Sequence, residues 1–477
     1  MLSAQSFRNS TSTAICAFSG AQCGFFYSFT LGVPMISRRA FSKMVFGGGL
    51  ATLSSPLWFD QLSERAFAQL ASSYKAVVIV TLTGGNDGNN MLIPLDSAAY
   101  GQYAAVRTSL ALNASACIPL TSAGGSPTYG MHPALPNVAA MYNRQRAAVI
   151  ANVGPLAAPA SKAQILANLN LAPQGLFSHP AGINQWESAS TVLVPTTGWG
   201  GRMADFISSQ SGSLPPMFNS GSASIFTVGR SVQGIAVSSQ PGSTSVLPTG
   251  MESAIMAIAA SDAQSQNAIV AQAAELRVQA VSQQALIAQA QSSGTPFNTV
   301  FPGSLFGQSM KAIAGIIKGR SVIGASRQIF YTQQGTYDTH GQQLPFHADN
   351  LSELDNGLGA FMSALDEMGL ADQVLVCTHS DFNRSMTANV AGGSDHAWGN
   401  HQIILGGGIR GGRIIGTYPD LDLGGSMDLN GYGIWVPTLS VSQMAAGIGS
   451  WMGLNSAQLA SVFPDLSNFS NGAISLT

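Results

Sequence analysis

This chain carries little charge. Asp, Glu, Lys and Arg make up 9% of its 477 residues and nearly cancel to a net −2. No Lys- or Arg-rich stripe is present, which excludes the electrostatic footprint of a nucleic-acid partner. Cysteine is scarce too: Cys16, Cys23, Cys117 and Cys377 are too few for a disulfide scaffold. Beyond the N-terminal region no segment reaches about 18 uninterrupted apolar residues, so the mature chain is expected to have no transmembrane span. Two motifs fail on inspection. GGGIRGG lacks the Lys-Ser/Thr of a phosphate loop and runs into a strand, so it is expected to be a hairpin turn. No Gly-x-Ser-x-Gly elbow is present, which argues against a Ser-His-Asp hydrolase.

What is present begins with a leader. SRRAFSK, Ser37 to Lys43, sets Arg38 and Arg39 before an apolar stretch too short and too Gly/Ser-rich to span a bilayer. Ala66-Phe67-Ala68 supplies a small-x-small cleavage pattern, so the segment resembles a twin-arginine export signal. Residues 1–68 are expected to be that leader, with translation starting at Met35, and the twin-arginine machinery is the expected partner. The mature protein is then periplasmic or secreted.

From residue 69 onward strand and helix patterns alternate, as in an α/β domain, with 45% hydrophobic residues to build a large core. Tyr74 to Leu82 reads as a buried strand running into GGNDGNN, whose glycines permit positive φ and present Asp87 on a turn. A helix near Ala134–Arg144, capped by His132, precedes a strand from Ala147. Leu176 to Trp199 reads as loop, with Ser178 beside His179. A serine becomes nucleophilic when a base or metal lowers the cost of its alkoxide, although from local sequence alone a hydroxyl turn beside a satisfied loop histidine explains Ser178 slightly better. Residues 208–295 read as an insertion, loop-rich to 250 and then an Ala/Gln-rich helix or broken pair. A helix is expected from an Asn350 N-cap to Gly369, with an apolar stripe through Leu351, Leu354, Leu358, Phe361 and Leu365.

That helix joins two ligand-rich loops. The first holds Asp338 and His340, which alternate so that both can point one way. The second follows the buried strand that begins at Val374 and holds Asp381, Arg384, Asp395, His396 and His401. Strand, loop, helix, strand, loop is a βαβ unit, and its right-handed crossover places both loops at one end of the sheet. A carboxylate paired with imidazoles suits a divalent transition metal.

GGNDGNNMLIP, YGMHPAL, the FSH and GWGGR segments, YDTHGQQ, SDFNR, GGSDHAWGNH and ILGGGIRGGRIIG occur in an order that resembles the bacterial family known as domain of unknown function 1501. The resemblance implies an alkaline-phosphatase-like α/β fold, a mixed, mostly parallel sheet with helices on both faces. It further implies two divalent ions (Zn, Mn, Mg or Ca) about 4 Å apart, serving hydrolysis of a small anionic phosphate or sulfate ester. Position by position, Asp87 matches the early ligand and Asp338 with His340 the middle set. Either Asp381 or the Asp395-His396 pair matches the late one, with His401 as an extra ligand. Ser178 is then the nucleophile and Arg384 the bidentate anion holder. The chain departs from the pattern at Asp381, where the family usually has Glu, at Asn383 and Ala397, where it has Gly, at Ser394, where it has Thr, and at Phe177, where it has Arg. Those departures motivate an alternative, a non-catalytic exported or cell-surface module of the same fold.

Overall fold

In the computed structural model the described residues are 74–121, 128–238 and 251–477. The twin-arginine segment with Arg38 and Arg39 lies outside them.

The apolar, β-branched run Lys75–Leu82 forms β1, the middle strand of the sheet. Its side chains alternate between two cores. Val78, Val80 and Leu82 face the helices Leu305–Lys318 and Gln343–Glu367, while Val77 and Ile79 face the helices Trp199–Ile207 and Val441–Met452. Burial on both faces is why the strand reads as a continuous hydrophobic run, each Val or Ile contributing roughly 1.5–3 kcal/mol. β1 pairs in parallel with β8 (Arg327–Gln334) on one side and β9 (Val374–Ser380) on the other. Beyond β9 come β10 (Asn400–Gly406), β5 (Ala147–Gly154) and β11 (Ile414–Gly416). Beyond β8 come β6 (Met217–Asn219) and β7 (Ile235–Ala236), and β12 (Leu439–Ser440) also pairs with β5. Among the described residues only β10 runs antiparallel to its neighbours in this sheet, and β2 (Leu92–Pro94), β3 (Ile118–Leu120) and β4 (Tyr129–Met131) form a separate antiparallel sheet. The expected architecture, a mixed and mostly parallel sheet flanked by helices, is the one observed.

Four expectations change. β10 and β11 form no hairpin: β5 lies between them, and Gly406, Gly407 and Gly408, all at positive φ, carry the chain over its end. The long helix starts at Gln343, so Asn350 is interior and its amide donates to the Thr336 carbonyl instead of capping. Pro345 is tolerated because it falls in the first turn, and Gln343 and His347 are held there by polar contacts to Asp87 and Asn86. Part of the segment expected as an insertion instead extends the main sheet, as β6 and β7, while its Ala-rich part is a broken pair, Met251–Asp262 and Ala268–Ser292. Finally His179–Ser188, read as loop, is a helix with Ser178 as its N-cap residue.

The helix Gln343–Glu367 carries the chain from β8 to β9 across β1, so these three parallel strands end together, Leu82 registering with both Gln334 and Ser380. Three loops therefore leave the same edge: 83–91, 335–342 and 381–399. Among the described residues no helix is long and apolar enough to cross a membrane.

Candidate metal centre

Glycine brings the three loops into contact. Gly84, at φ +101°, lies so close to the second loop that a Cβ would sit 2.7 Å from the Asp338 nitrogen. Arg384 then binds the loops together. Its guanidinium is fully buried and donates to the carbonyls of Gly84, Gly85, Tyr337 and Ser394 as well as to the Asp338 carboxylate. A side chain so committed braces the backbone, and the open anion clamp expected from sequence is not the geometry found.

On this brace sits Asp338, facing three imidazoles. His179 Nε2 lies 3.5 Å from its Oδ2, and His340 Nε2 and His396 Nε2 lie 3.1 and 3.4 Å from its Oδ1. Ligand atoms of His179, Asp338 and His396 all fall within 4.8 Å of one another, as a shared cation requires. The opposite ring nitrogens fix the tautomers. His179 Nδ1 meets the Asp381 carboxylate at 2.7 Å, His396 Nδ1 the Phe177 carbonyl at 2.7 Å, and His340 Nδ1 the Asp395 carboxylate at 3.1 Å. Those partners accept, so each Nδ1 donates and each Nε2 is the ring nitrogen turned inward toward Asp338.

The arrangement is incomplete without an electrophile. His340 Nε2 and His396 Nε2 are 2.9 Å apart, where two lone pairs repel unless a proton or cation lies between them. His179 Nε2 is buried and, among the described residues, has no hydrogen-bond partner; Asp338 at 3.5 Å is too far for a good one. A shared proton satisfies the first pair only. One divalent cation can be shared by His179, His396 and the Asp338 carboxylate, with His340 beside it, a donor set suited to zinc or another borderline ion.

Burial pushes the Asp338 carboxyl up, but the Arg384 guanidinium together with His179 and His340 brings it below the usual carboxylate range, so it is anionic at neutral pH. The hydrogen bond to Asp381 raises the pKa of His179, and burial lowers that of His396. The Phe382 ring walls the centre from beneath, its centroid 4.7 Å from that of His179 and 4.4 Å from that of His396.

Of the residues singled out in the sequence, Asp338, His340 and His396 are brought together here. Asp381 and Asp395 stand behind the imidazoles as acceptors, which relates both late candidates to one site by way of their histidines. Asp87 is not brought into this group. It is fully buried and engaged by Arg107 and Gln343. Nor is His401, which is buried, stacked on Tyr418 and accepting from the Asn152 amide at 3.0 Å. His379 lies in the core against Thr81. Ser178 is exposed at the helix start and makes no capping hydrogen bond. Its neighbours on both sides contact the centre, Phe177 through its carbonyl and His179 through its ring.

The residue that sequence reasoning left out of the ligand set is His179. Its signal was its position next to Ser178, but only the helix reveals where the ring points. Gly182, one turn on, decides how near that helix comes, because a Cβ there would lie 2.5 Å from the Asp381 carbonyl oxygen. Gly182→Ala is expected to push the helix outward, costing about 1–3 kcal/mol as overpacking and about tenfold in metal affinity by uncoupling His179 from Asp381. Thermal melts with and without metal would check it, and unchanged affinity would contradict it.

Comparison with known proteins adds the following. The model of the family described as "Protein of unknown function (DUF1501)" matches residues 74–463. No curated protein matches the chain significantly. Among solved structures, the sulfatase PsFucS1 from Pseudoalteromonas sp. is similar at 10% identity and TM-score 0.33, over 77% of this chain and 70% of that one. The C-terminal periplasmic domain of EcEptC from Escherichia coli, in complex with Zn, is similar at 7% identity and TM-score 0.28, over 70% and 72%. A mutant of TAB5 alkaline phosphatase with Mg bound is similar at 8% identity and TM-score 0.31, over 72% and 94%. Likeness this distant transfers no activity.

Proposed function

The chain belongs to the DUF1501 family, and from that membership and the site geometry we propose that it is an exported metal-dependent hydrolase of phosphate or sulfate esters. One divalent cation would be held by Asp338, His179, His340 and His396. The observation that carries this reading is the convergence of three Nε2 lone pairs on one carboxylate. When bound, the cation supplies Lewis-acid polarisation of an ester oxygen. Asp381, Asp395 and the Phe177 carbonyl hold the three rings in the ligating tautomer. Ser178, exposed beside the ligands, is the candidate nucleophile; the adjacent cation would ease loss of its hydroxyl proton. Export rests on the Arg38-Arg39 leader. Asp87 and His401 are left out of the ligand set because both are buried with other partners, and Arg384 is assigned a bracing role.

Metal analysis of the purified protein and calorimetry with Zn²⁺, Mn²⁺, Mg²⁺ and Ca²⁺ test the centre. One ion per chain is expected, with His179→Ala and Asp338→Ala each weakening binding by at least about a hundredfold. Aryl phosphate and aryl sulfate panels test the chemistry. Ser178→Ala should retain the metal and lose turnover. Absence of affinity for every ion would end the proposal. A second reading, a non-catalytic binding or assembly protein, is favoured by one observation, the full engagement of Arg384, which leaves no open guanidinium for an anion. Stoichiometric metal with no turnover on either panel would select it.

A further inference from the structure

The loops that build the centre, residues 83–91, 174–194, 335–346 and 380–399, contain one cationic side chain, Arg384, and it is buried. Three carboxylates, Asp338, Asp381 and Asp395, surround the imidazoles. A divalent ion and Arg384 together supply three positive charges, which those three aspartates cancel. Asp395, with 66% of its side chain exposed, stands at the mouth. A ligand arriving with two or more negative charges therefore meets no surplus positive charge and one exposed negative one. A singly charged ligand meets about half of that repulsion, and a neutral one meets none.

The rim is apolar on two sides. Phe177, whose carbonyl holds His396, exposes its side chain, as does Leu193, which packs against the Gly175 turn below Ser178. Across the site Val390 is fully exposed, next to Asn389, whose amide donates to the His340 carbonyl and to Asp395. Phe177 adopts φ +74°, a left-handed conformation that a phenylalanine takes only at a cost. Glycine would relieve that strain, so the phenylalanine ring is the feature this position adds to the rim.

We propose, building on the metal-centre reading above, that the site selects monoanionic esters with an apolar group, namely aryl or alkyl sulfates or phosphodiesters, over dianionic phosphate monoesters. The charged head meets the cation and the apolar group lies across Phe177, Leu193 and Val390. Phosphorylated or sulfated polymers, which carry many charges, are poor ligands on the same grounds.

Equilibrium binding tests this without relying on turnover. Metal-loaded protein carrying Ser178→Ala is titrated calorimetrically at pH 8 with 2-naphthyl sulfate, bis(4-nitrophenyl) phosphate, 2-naphthyl phosphate and methyl sulfate. The two apolar monoanions should bind at least about tenfold tighter than naphthyl phosphate and than methyl sulfate. Phe177→Gly, which keeps the backbone turn, should weaken naphthyl sulfate about tenfold and leave methyl sulfate unchanged. Asp395→Asn should narrow the gap between naphthyl phosphate and naphthyl sulfate. Naphthyl phosphate binding as tightly as naphthyl sulfate to protein that holds its metal would overturn the selection. Failure of the protein to take up Zn²⁺ or Mn²⁺ would instead overturn the reading beneath it.

Discussion

An Arg107→Met variant should lose about 3–5 kcal/mol of stability, the usual cost of leaving one partner of a buried ion pair without the other. Arg107 and Asp87 are both fully buried and paired. The guanidinium also donates to the Ser385 and Met386 carbonyls and to Asn90 Oδ1, so it ties the helix Ser97–Arg107 to the first and third site loops. Removing it would leave Asp87 with Gln343, while Asp87 Oδ1 already lacks a partner among the described residues. Pairing the change with Asp87→Asn should recover part of the loss, because the stranded charge is then gone. Urea unfolding of the two single variants and the double variant measures the coupling. The same series bears on metal. If Asp87 is a brace, Asp87→Asn retains the ion stoichiometry of the parent; if it is a ligand, metal is lost. A double variant no more stable than Arg107→Met would contradict the pairing argument.

Acid should unfold this protein earlier than its carboxylates alone would. Burial holds His132, His347, His379 and His401 down to about 3, whereas an unfolded chain takes up a proton on each near 6.5. The unfolded state therefore binds more protons between those values. The stabilisation is complete above about pH 6.5 and is lost as pH falls from there toward about 3. Each such histidine contributes up to about 1.4 kcal/mol per pH unit, and four together up to about 6 kcal/mol per pH unit, against a typical total of about 5–15 kcal/mol. A cooperative transition centred between about pH 6 and pH 4 is expected, read by near-ultraviolet circular dichroism. Imidazole ¹⁵N spectra of the native protein at pH 6 should show His132, His347, His379 and His401 all neutral. A protein still folded at pH 3.5 would show that these rings are not held as the burial implies.

The buried histidines also show why the site was only half legible. Val374 to His401 holds three of the seven histidines, two of them buried, and a dense run of ligand types in a charge-poor chain points to chemistry. Yet Val374–Ser380 is one continuous strand, so His379 points into the core, and His401 stacks on Tyr418. Only His396 reaches the centre. His340 and Asp338 were readable because two-residue spacing in an extended segment is a local property. His179 was not, since its ring is aimed by a helix that packs on Asp381 some two hundred residues away. Asp87 misleads for the converse reason: a turn after β1 presents it locally, but Arg107 and Gln343 arrive from distant elements and engage it.

By itself the amino-acid order determined the buried strands, the crossover helix with its apolar stripe, the family, and the edge of the sheet where ligand-bearing loops gather, because periodicity and glycine placement act over a few residues. Tertiary packing alone decided which histidines gather around Asp338, which are core, and that Arg384 and Arg107 serve as braces. Those outcomes depend on which acceptors lie within about 3 Å of a side chain once strands far apart in sequence are side by side.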